Sequence, residues 1–161
     1  MSKAVQMKTF IGSGDKLYPD SNITREEAFV VLARAFKISG ADENALDKFS
    51  DINDISDWAR DGVSSLVSAG YISGSNGRIN PKQNITRAEF AQMMDNLIKN
   101  YISKDDTYTT DYNGNLMVNT PNVTLKGITV AGDLIIGDGV GDGEVILDDV
   151  IVTGRVLVRG G

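Results

Sequence analysis

The feature that most constrains this chain is that each half repeats itself, with a different period in each half. In the first half, Ile23-Thr24-Arg25-Glu26-Glu27 returns as Ile85-Thr86-Arg87-Ala88-Glu89, 62 residues later. The same offset pairs Pro19 with Pro81, Leu17 with Ile79, Gly12 with Gly74 and Phe10 with Ile72. In the second half, an offset of 22 pairs Val123 with Val145, Leu125 with Leu147, Ile128 with Val150, Val130 with Val152, Leu134 with Val156 and Ile136 with Val158. A fixed period means stacked supersecondary units that share one continuous core.

Residue spacing tells the two halves apart. Phe29, Leu32, Ala33 and Phe36 recur at i, i+3, i+4 and i+7. Phe90, Met94, Leu97, Ile98 and Tyr101 extend the same rule over three turns. A third helix fits residues 56–69, with Ala59, Val63, Leu66 and Val67 inward and Gly70 as its stop. Beyond about Ser103 the period falls to two. Short Val/Ile/Leu strands at 116–119, 123–125, 128–130, 133–136, 144–147, 150–152 and 155–158 are divided by Gly and Asp. The expected fold is therefore α+β in separate regions: helical repeats over 1–103, a polar linker over 104–115, and β-solenoid-like coils over 116–161. The first helical repeat reads as incomplete and the solenoid as truncated after two coils.

Composition excludes several functions. The 161 residues contain no Cys and no His, which removes disulfides, thiolate nucleophiles, Ser-His-Asp triads and the usual zinc ligands. No apolar run is long enough to span a membrane, and the first residues lack the apolar stretch of a signal peptide. Residues 1–104 hold 13 basic and 13 acidic side chains, and residues 105–161 hold 3 and 9, so the net charge of −6 lies in the C-terminal third. That is not the basic stripe of a nucleic-acid binder. No cofactor is expected. The glycine-rich run 137–143 lacks the Lys-Ser/Thr of a phosphate loop and reads as a solenoid corner. Asp138, Asp142, Glu144, Asp148 and Asp149 are oxygen donors suited to calcium, but surface acidity explains them with less, and no metal site is assigned. Asp148 and Asp149 are adjacent and would point to opposite faces of a strand, so a two-carboxylate glycosidase site is not expected, and neither is catalysis.

The repeated motif has a structural reading first. Thr24 with Glu27, and Thr86 with Glu89, are spaced as capping boxes. The arginines are harder to explain by stability. Arg25 and Arg87 fall at the first helical position, where a cation opposes the helix dipole by about 0.3–1 kcal/mol. Exposed N–H groups beside a guanidinium form an anion site. The alternative is an arginine paired with a nearby carboxylate.

The run Phe49-Ser50-Asp51, Trp58-Ala59, Ala69-Gly70-Tyr71-Ile72-Ser73-Gly74, Ile79-Asn80-Pro81 and Ile85-Thr86-Arg87-Ala88-Glu89-Phe90-Ala91 resembles a complete S-layer homology repeat. Residues 10–38 resemble the second part of a preceding one. The resemblance covers roughly 10–102, about one and a half repeats where three are usual. It implies a non-catalytic extracellular module of a bacterial cell surface, held non-covalently on an anionic secondary cell-wall polysaccharide, often through a pyruvylated sugar. By the same resemblance Arg25 and Arg87 meet the ligand carboxylate, with Thr24 and Thr86 beside them. Trp58 stacks on a sugar or anchors a helix start. Asp51 accepts sugar hydroxyls or closes a turn. Gly12 and Gly74 admit the ligand or simply turn the chain. A rival expectation is a structural segment of a surface layer that self-associates through its incomplete repeats.

Overall fold

A computed structural model describes residues 20–159, and the chain divides into two compact units, Met1–Met93 and Met94–Gly161. In the first unit, helices α1 (Arg25–Ala35) and α2 (Asp57–Ser68) pack together, and α3 (Arg87–Leu97) begins after an irregular segment and crosses the unit boundary. The packing follows from the apolar stripes. Ala28, Phe29, Leu32 and Ala33 of α1 are buried, as are Ala59, Val63 and Leu66 of α2. Gly62 faces α1, where an added Cβ would come within 3.0 Å of the Val30 side chain. Short 3₁₀ turns at Glu43–Leu46 and Ile52–Asp54 join the helices and bring Phe49 and Ile55 into the core.

The third helix is shorter than its stripe predicts. It ends at Leu97, and residues Asn100–Ile102 form strand β1 of the solenoid. Tyr101 is exposed, and its hydroxyl accepts a hydrogen bond from Asn119 Nδ2 at 2.8 Å. Phe90 is exposed as well, and Met93 and Leu97 are the buried residues of this helix. Parallel pairing with Leu116–Val118 outweighs the helical spacing here, because Ile102 finds a buried place in the coil core.

The second unit is a three-sided, parallel β-solenoid of about three turns over residues 100–158. Its strands are β1, β2 (Thr107–Tyr108), β3 (Tyr112–Asn113), β4 (Leu116–Val118), β5 (Val123–Lys126), β6 (Thr129–Ala131), β7 (Leu134–Ile136), β8 (Val145–Asp148), β9 (Ile151–Val152) and β10 (Val156–Val158). They stack as β1-β4-β7-β10, β2-β5-β8 and β3-β6-β9. The upper registers, Val123↔Val145, Val130↔Val152 and Leu134↔Val156, keep the 22-residue offset of the sequence. The expected linker 104–115 is instead part of the first coil, so there are three coils rather than two. Its pairings Tyr112↔Val130 and Leu116↔Leu134 are 18 residues apart, which a 22-residue period does not reveal. Tyr108 and Tyr112 fill, among polar neighbours, the inward places that aliphatic residues hold above.

Four residues separate the two coil lengths, and they lie in the glycine-rich corner. Eight residues, 137–144, join β7 to β8, whereas four, 119–122, join β4 to β5. The corners carry an acceptor ladder. Asn115 Oδ1 accepts from Asp133 N, and Asp133 Oδ1 accepts from Arg155 N, both at 2.8 Å. Asp148 pairs with Lys126 on the strand below at 2.8 Å, and Asp149 adopts φ 53° at the corner where the coil below has Gly127 at φ 60°. This acidic pair thus has local work in the stack.

Each coil is covered by the next, so equivalent inward residues differ in burial. Leu125 is fully buried, whereas Leu147, its register partner, is 46% exposed. Leu125→Ala should therefore cost about 2–5 kcal/mol by urea denaturation and Leu147→Ala under about 1.5 kcal/mol. Equal losses would contradict the stacking order.

Candidate functional site

The two copies of the repeated motif stand at the starts of α1 and α3, and the loop before α3 closes over the start of α1. The first N–H groups of a helix have no partner within it. In α1 they are taken by the second repeat: Arg25 N donates to Gln83 O at 2.8 Å and Glu26 N to Pro81 O at 3.1 Å. Thr24 and Asn84 form an antiparallel bridge, and Ile85 N donates to Ile23 O at 3.0 Å. The motif is thus a joint between repeats as well as a helix start.

Both capping boxes form. Thr24 N donates to Glu27 Oε2 at 2.7 Å and Thr86 N to Glu89 Oε2 at 2.9 Å, with Glu27 N and Glu89 N donating back to the threonine hydroxyls. Glu89 does a second thing. Its other oxygen, Oε1, pairs with Arg25 Nη1, so one carboxylate caps α3 and grips the first repeat.

The two arginines differ sharply. The Arg25 side chain is 11% exposed; its Nε donates to Ile79 O at 2.7 Å and its guanidinium lies 5.3 Å from the Phe29 ring centroid. All of its contacts lie within the protein, so the sequence expectation of a ligand-facing Arg25 gives way to an internal tie. Arg87 is exposed, and among the described residues neither its side chain nor its backbone N–H has a hydrogen-bond or ion-pair partner. The start of α3 is the open copy of a site that α1 shows closed.

Other sequence candidates separate in the same way. Asp51 is buried, and its oxygens accept from Ile79 N at 2.9 Å and Asn80 N at 2.7 Å. It holds the 78–80 loop, the turn-closing alternative considered for it. Gly74, at φ 69°, lies where a Cβ would come within 2.6 Å of Arg78 O and of the Phe49 ring, so its own chain fills the approach. Trp58, in the first turn of α2, is 54% exposed and available to a partner. Gly12 lies outside the described residues.

Sequence reasoning missed Glu26. Buried beneath the junction, it accepts from Ser56 N at 3.0 Å and Ser56 Oγ at 2.9 Å and pairs with Lys82 Nζ at 2.6 Å. It caps α2 from outside, which is why Ser56, at that helix's N-cap position, makes no side-chain cap of its own. The signal was present: Glu26 stands where the second repeat has Ala88. Beside this network a surface cleft of about 160 Å³ is lined by Asp51, Asp54, Arg78, Asn80, Pro81, Lys82 and Gln83.

Three junction carboxyls titrate below their usual range. Burial alone would raise Glu26, but the bonds from Lys82 and Ser56 outweigh it; burial opposes Asp51 likewise, and the Ile79 and Asn80 N–H groups outweigh it. Glu89 is lowered chiefly by the Thr86 bonds, with Arg25 adding to them. A carboxyl lowered by folding adds stability above its unfolded pKa of about 4, and that stability is lost as the pH falls through the folded value.

Two outcomes are expected. Melting of the helical unit, followed by circular dichroism at 222 nm, should fall steadily below about pH 4, and Glu26→Gln should lower the plateau and flatten the fall. Arg25→Ala should cost about 1.5–3 kcal/mol through the lost charged hydrogen bonds, whereas Arg87→Ala should be neutral or slightly stabilising. Equal effects of the two would contradict the closed and open arrangement.

Known proteins share this pattern. Residues 48–91 match the S-layer homology domain family. The chain is 34% identical over 118 residues to a "Surface-layer 125 kDa protein" of Lysinibacillus sphaericus, covering 71% of this chain and 10% of that protein. It is 39% identical over 84 residues to a "Cellulosome-anchoring protein" of Acetivibrio thermocellus, covering 48% and 18%. To an "Amylopullulanase" of Thermoanaerobacterium thermosulfurigenes it is 37% identical over 92 residues, covering 55% and 5%. The chain thus spans less than a fifth of the length of each. Taken with the repeated capping box and the helix–loop–helix packing, these matches identify residues 48–91 as an S-layer homology domain.

Proposed function

We propose that the helical unit is a non-catalytic anchor that holds a bacterial surface protein on an anionic secondary cell-wall polysaccharide, through a pyruvylated sugar. The observation that carries this reading is the open start of α3. There an exposed guanidinium stands beside the Arg87 and Ala88 N–H groups, and among the described residues none of the three has a hydrogen-bond or ion-pair partner. The closed copy indicates what such a site accepts: around Arg25 the places are filled by the Glu89 carboxylate and by carbonyl oxygens of the neighbouring repeat. A ligand carboxylate at Arg87 would be held as Glu89 is held at Arg25, with the helix dipole adding to the attraction. Exposed Trp58 supplies a face for a sugar ring. The anchoring named in one relative and the surface layer named in another agree with this role.

The test is co-sedimentation with purified cell walls, before and after chemical removal of the wall polysaccharide. Binding should vanish on stripped walls, fall at least tenfold in Arg87→Ala, and survive in Thr86→Ser. Retention on stripped walls, or unchanged binding by Arg87→Ala, would exclude the proposal.

A further inference from the structure

We infer that Asn76 is a site of spontaneous covalent modification: its side-chain amide cyclises onto the Gly77 nitrogen and is then hydrolysed, which releases ammonia and unfastens the loop that joins the repeats. Five glycines of the chain directly follow Asn or Asp, namely Gly62, Gly77, Gly114, Gly139 and Gly143. In such a pair the side-chain carbonyl carbon comes within reach of the glycine nitrogen, and no Cβ obstructs the approach. Local sequence therefore offers the reaction at all five, and the fold decides between them.

The reaction needs a glycine nitrogen that can lose its proton, and a hydrogen bond holds that proton in place. Gly62 lies inside α2, where its N–H belongs to the helix ladder. Gly114 N donates to Ala131 O at 3.1 Å, Gly139 N to Asn119 Oδ1 at 2.9 Å and Gly143 N to Val140 O at 3.0 Å. Gly77 N has no acceptor among the described residues, and the Asn76 side-chain amide has no partner there either. Both residues are exposed. The turn itself is the reason. Asn76 (φ 49°) and Gly77 (φ 69°) are the central residues of a tight hairpin turn, closed by Arg78 N donating to Ser75 O at 2.9 Å and Ser75 N to Arg78 O at 2.8 Å. A two-residue turn of left-handed backbone uses the N–H groups of its flanks and leaves those of its centre to water.

The chemistry balances with water alone. The Gly77 nitrogen forms a bond to Asn76 Cγ, the Cγ–Nδ2 bond breaks, and Nδ2 leaves as ammonia with the proton that Gly77 gave up. Water then opens the cyclic imide at either carbonyl. One opening restores the ordinary main chain with an aspartyl side chain. The other routes the main chain through Cγ and lengthens it by one methylene. That second product cannot keep the paired Ser75–Arg78 bonds, whose register a two-residue loop fixes. The turn also holds its neighbours: Gly77 O accepts from Ser50 N at 2.9 Å and from Ser50 Oγ at 3.3 Å, beside Asp51, which grips Ile79 and Asn80. The same loop presents the Pro81 and Gln83 carbonyls to α1, so modification at position 76 weakens the joint between repeats.

Ageing the full chain in mildly alkaline buffer tests this, with peptide mapping by mass spectrometry and isoaspartyl labelling by a methyltransferase. Asn113 is the internal comparison, because it too precedes a glycine and differs in the hydrogen bond that glycine makes. In the folded chain Asn76 should convert at least tenfold faster than Asn113, and in urea that preference should disappear. Equal rates in the folded chain, or the same preference in urea as in the folded chain, overturn the inference. The helical unit of the aged chain should melt at a lower temperature than that of the fresh chain, by circular dichroism at 222 nm. Aged Asn76→Gln, whose longer side chain cyclises far more slowly, should melt as its fresh form does. A chain converted at position 76 that melts unchanged shows that this turn does not fasten the repeats, and overturns the inference as well.

Discussion

Glu89 is the residue on which the helical unit turns. One oxygen caps α3 through Thr86, and the other holds Arg25 of the preceding repeat. A helix start and a repeat interface are therefore one interaction, so capping α3 and packing α1 against the second repeat are coupled. The same economy appears at Glu26, which caps α2 from a neighbouring helix and neutralises Lys82. Because every charge taken from water here meets an opposite charge or two N–H groups, the junction can be polar and still cohesive. Burying the start of α1 without the Pro81 and Gln83 carbonyls would leave its first-turn N–H groups unmet, at a cost of about 1–3 kcal/mol for each buried donor.

The solenoid solves its packing differently. Its inward residues meet only their own coil and the coils above and below, so burial is a property of position in the stack. Val123, Leu125, Val130 and Leu134 are fully buried because a coil lies on each side. Val156 and Val158, in the last strand described, have the same inward register and are more than half exposed. The corners depend on side-chain acceptors and on left-handed backbone, supplied by Gly127 in one coil and by Asp149 in the next.

Much of this was legible in the sequence, for physical reasons that differ by element. The 22-residue period was readable because strand stacking demands like residues at like positions. The first coil was not, because Tyr108 and Tyr112 fill the core without matching the aliphatic residues above and because its spacing is 18. Capping boxes follow from local spacing alone, and both were found. The fate of Arg25 was hidden because its partners, Ile79 and Glu89, are 54 and 64 residues away. No local rule distinguishes an arginine bound by its own fold from one that awaits a ligand. Asp51 was ambiguous for the same reason: its acceptors are satisfied by N–H groups 28 and 29 residues on.

The repeat itself resolves the puzzle of an arginine placed against a helix dipole. In the first copy the unfavourable placement is offset by a carbonyl, a carboxylate and an aromatic face, all supplied inside the protein. In the second copy the same residue at the same helical position has none of these. Nothing within the described structure compensates for Arg87, yet its surroundings reproduce the threonine, the glutamate and the N–H groups of the first copy. A position that is stabilising only when an anion fills it is poorly explained by folding alone. At the closed junction a carboxylate fills the place beside Arg25, and the ligand carboxylate proposed above would fill the equivalent place beside Arg87.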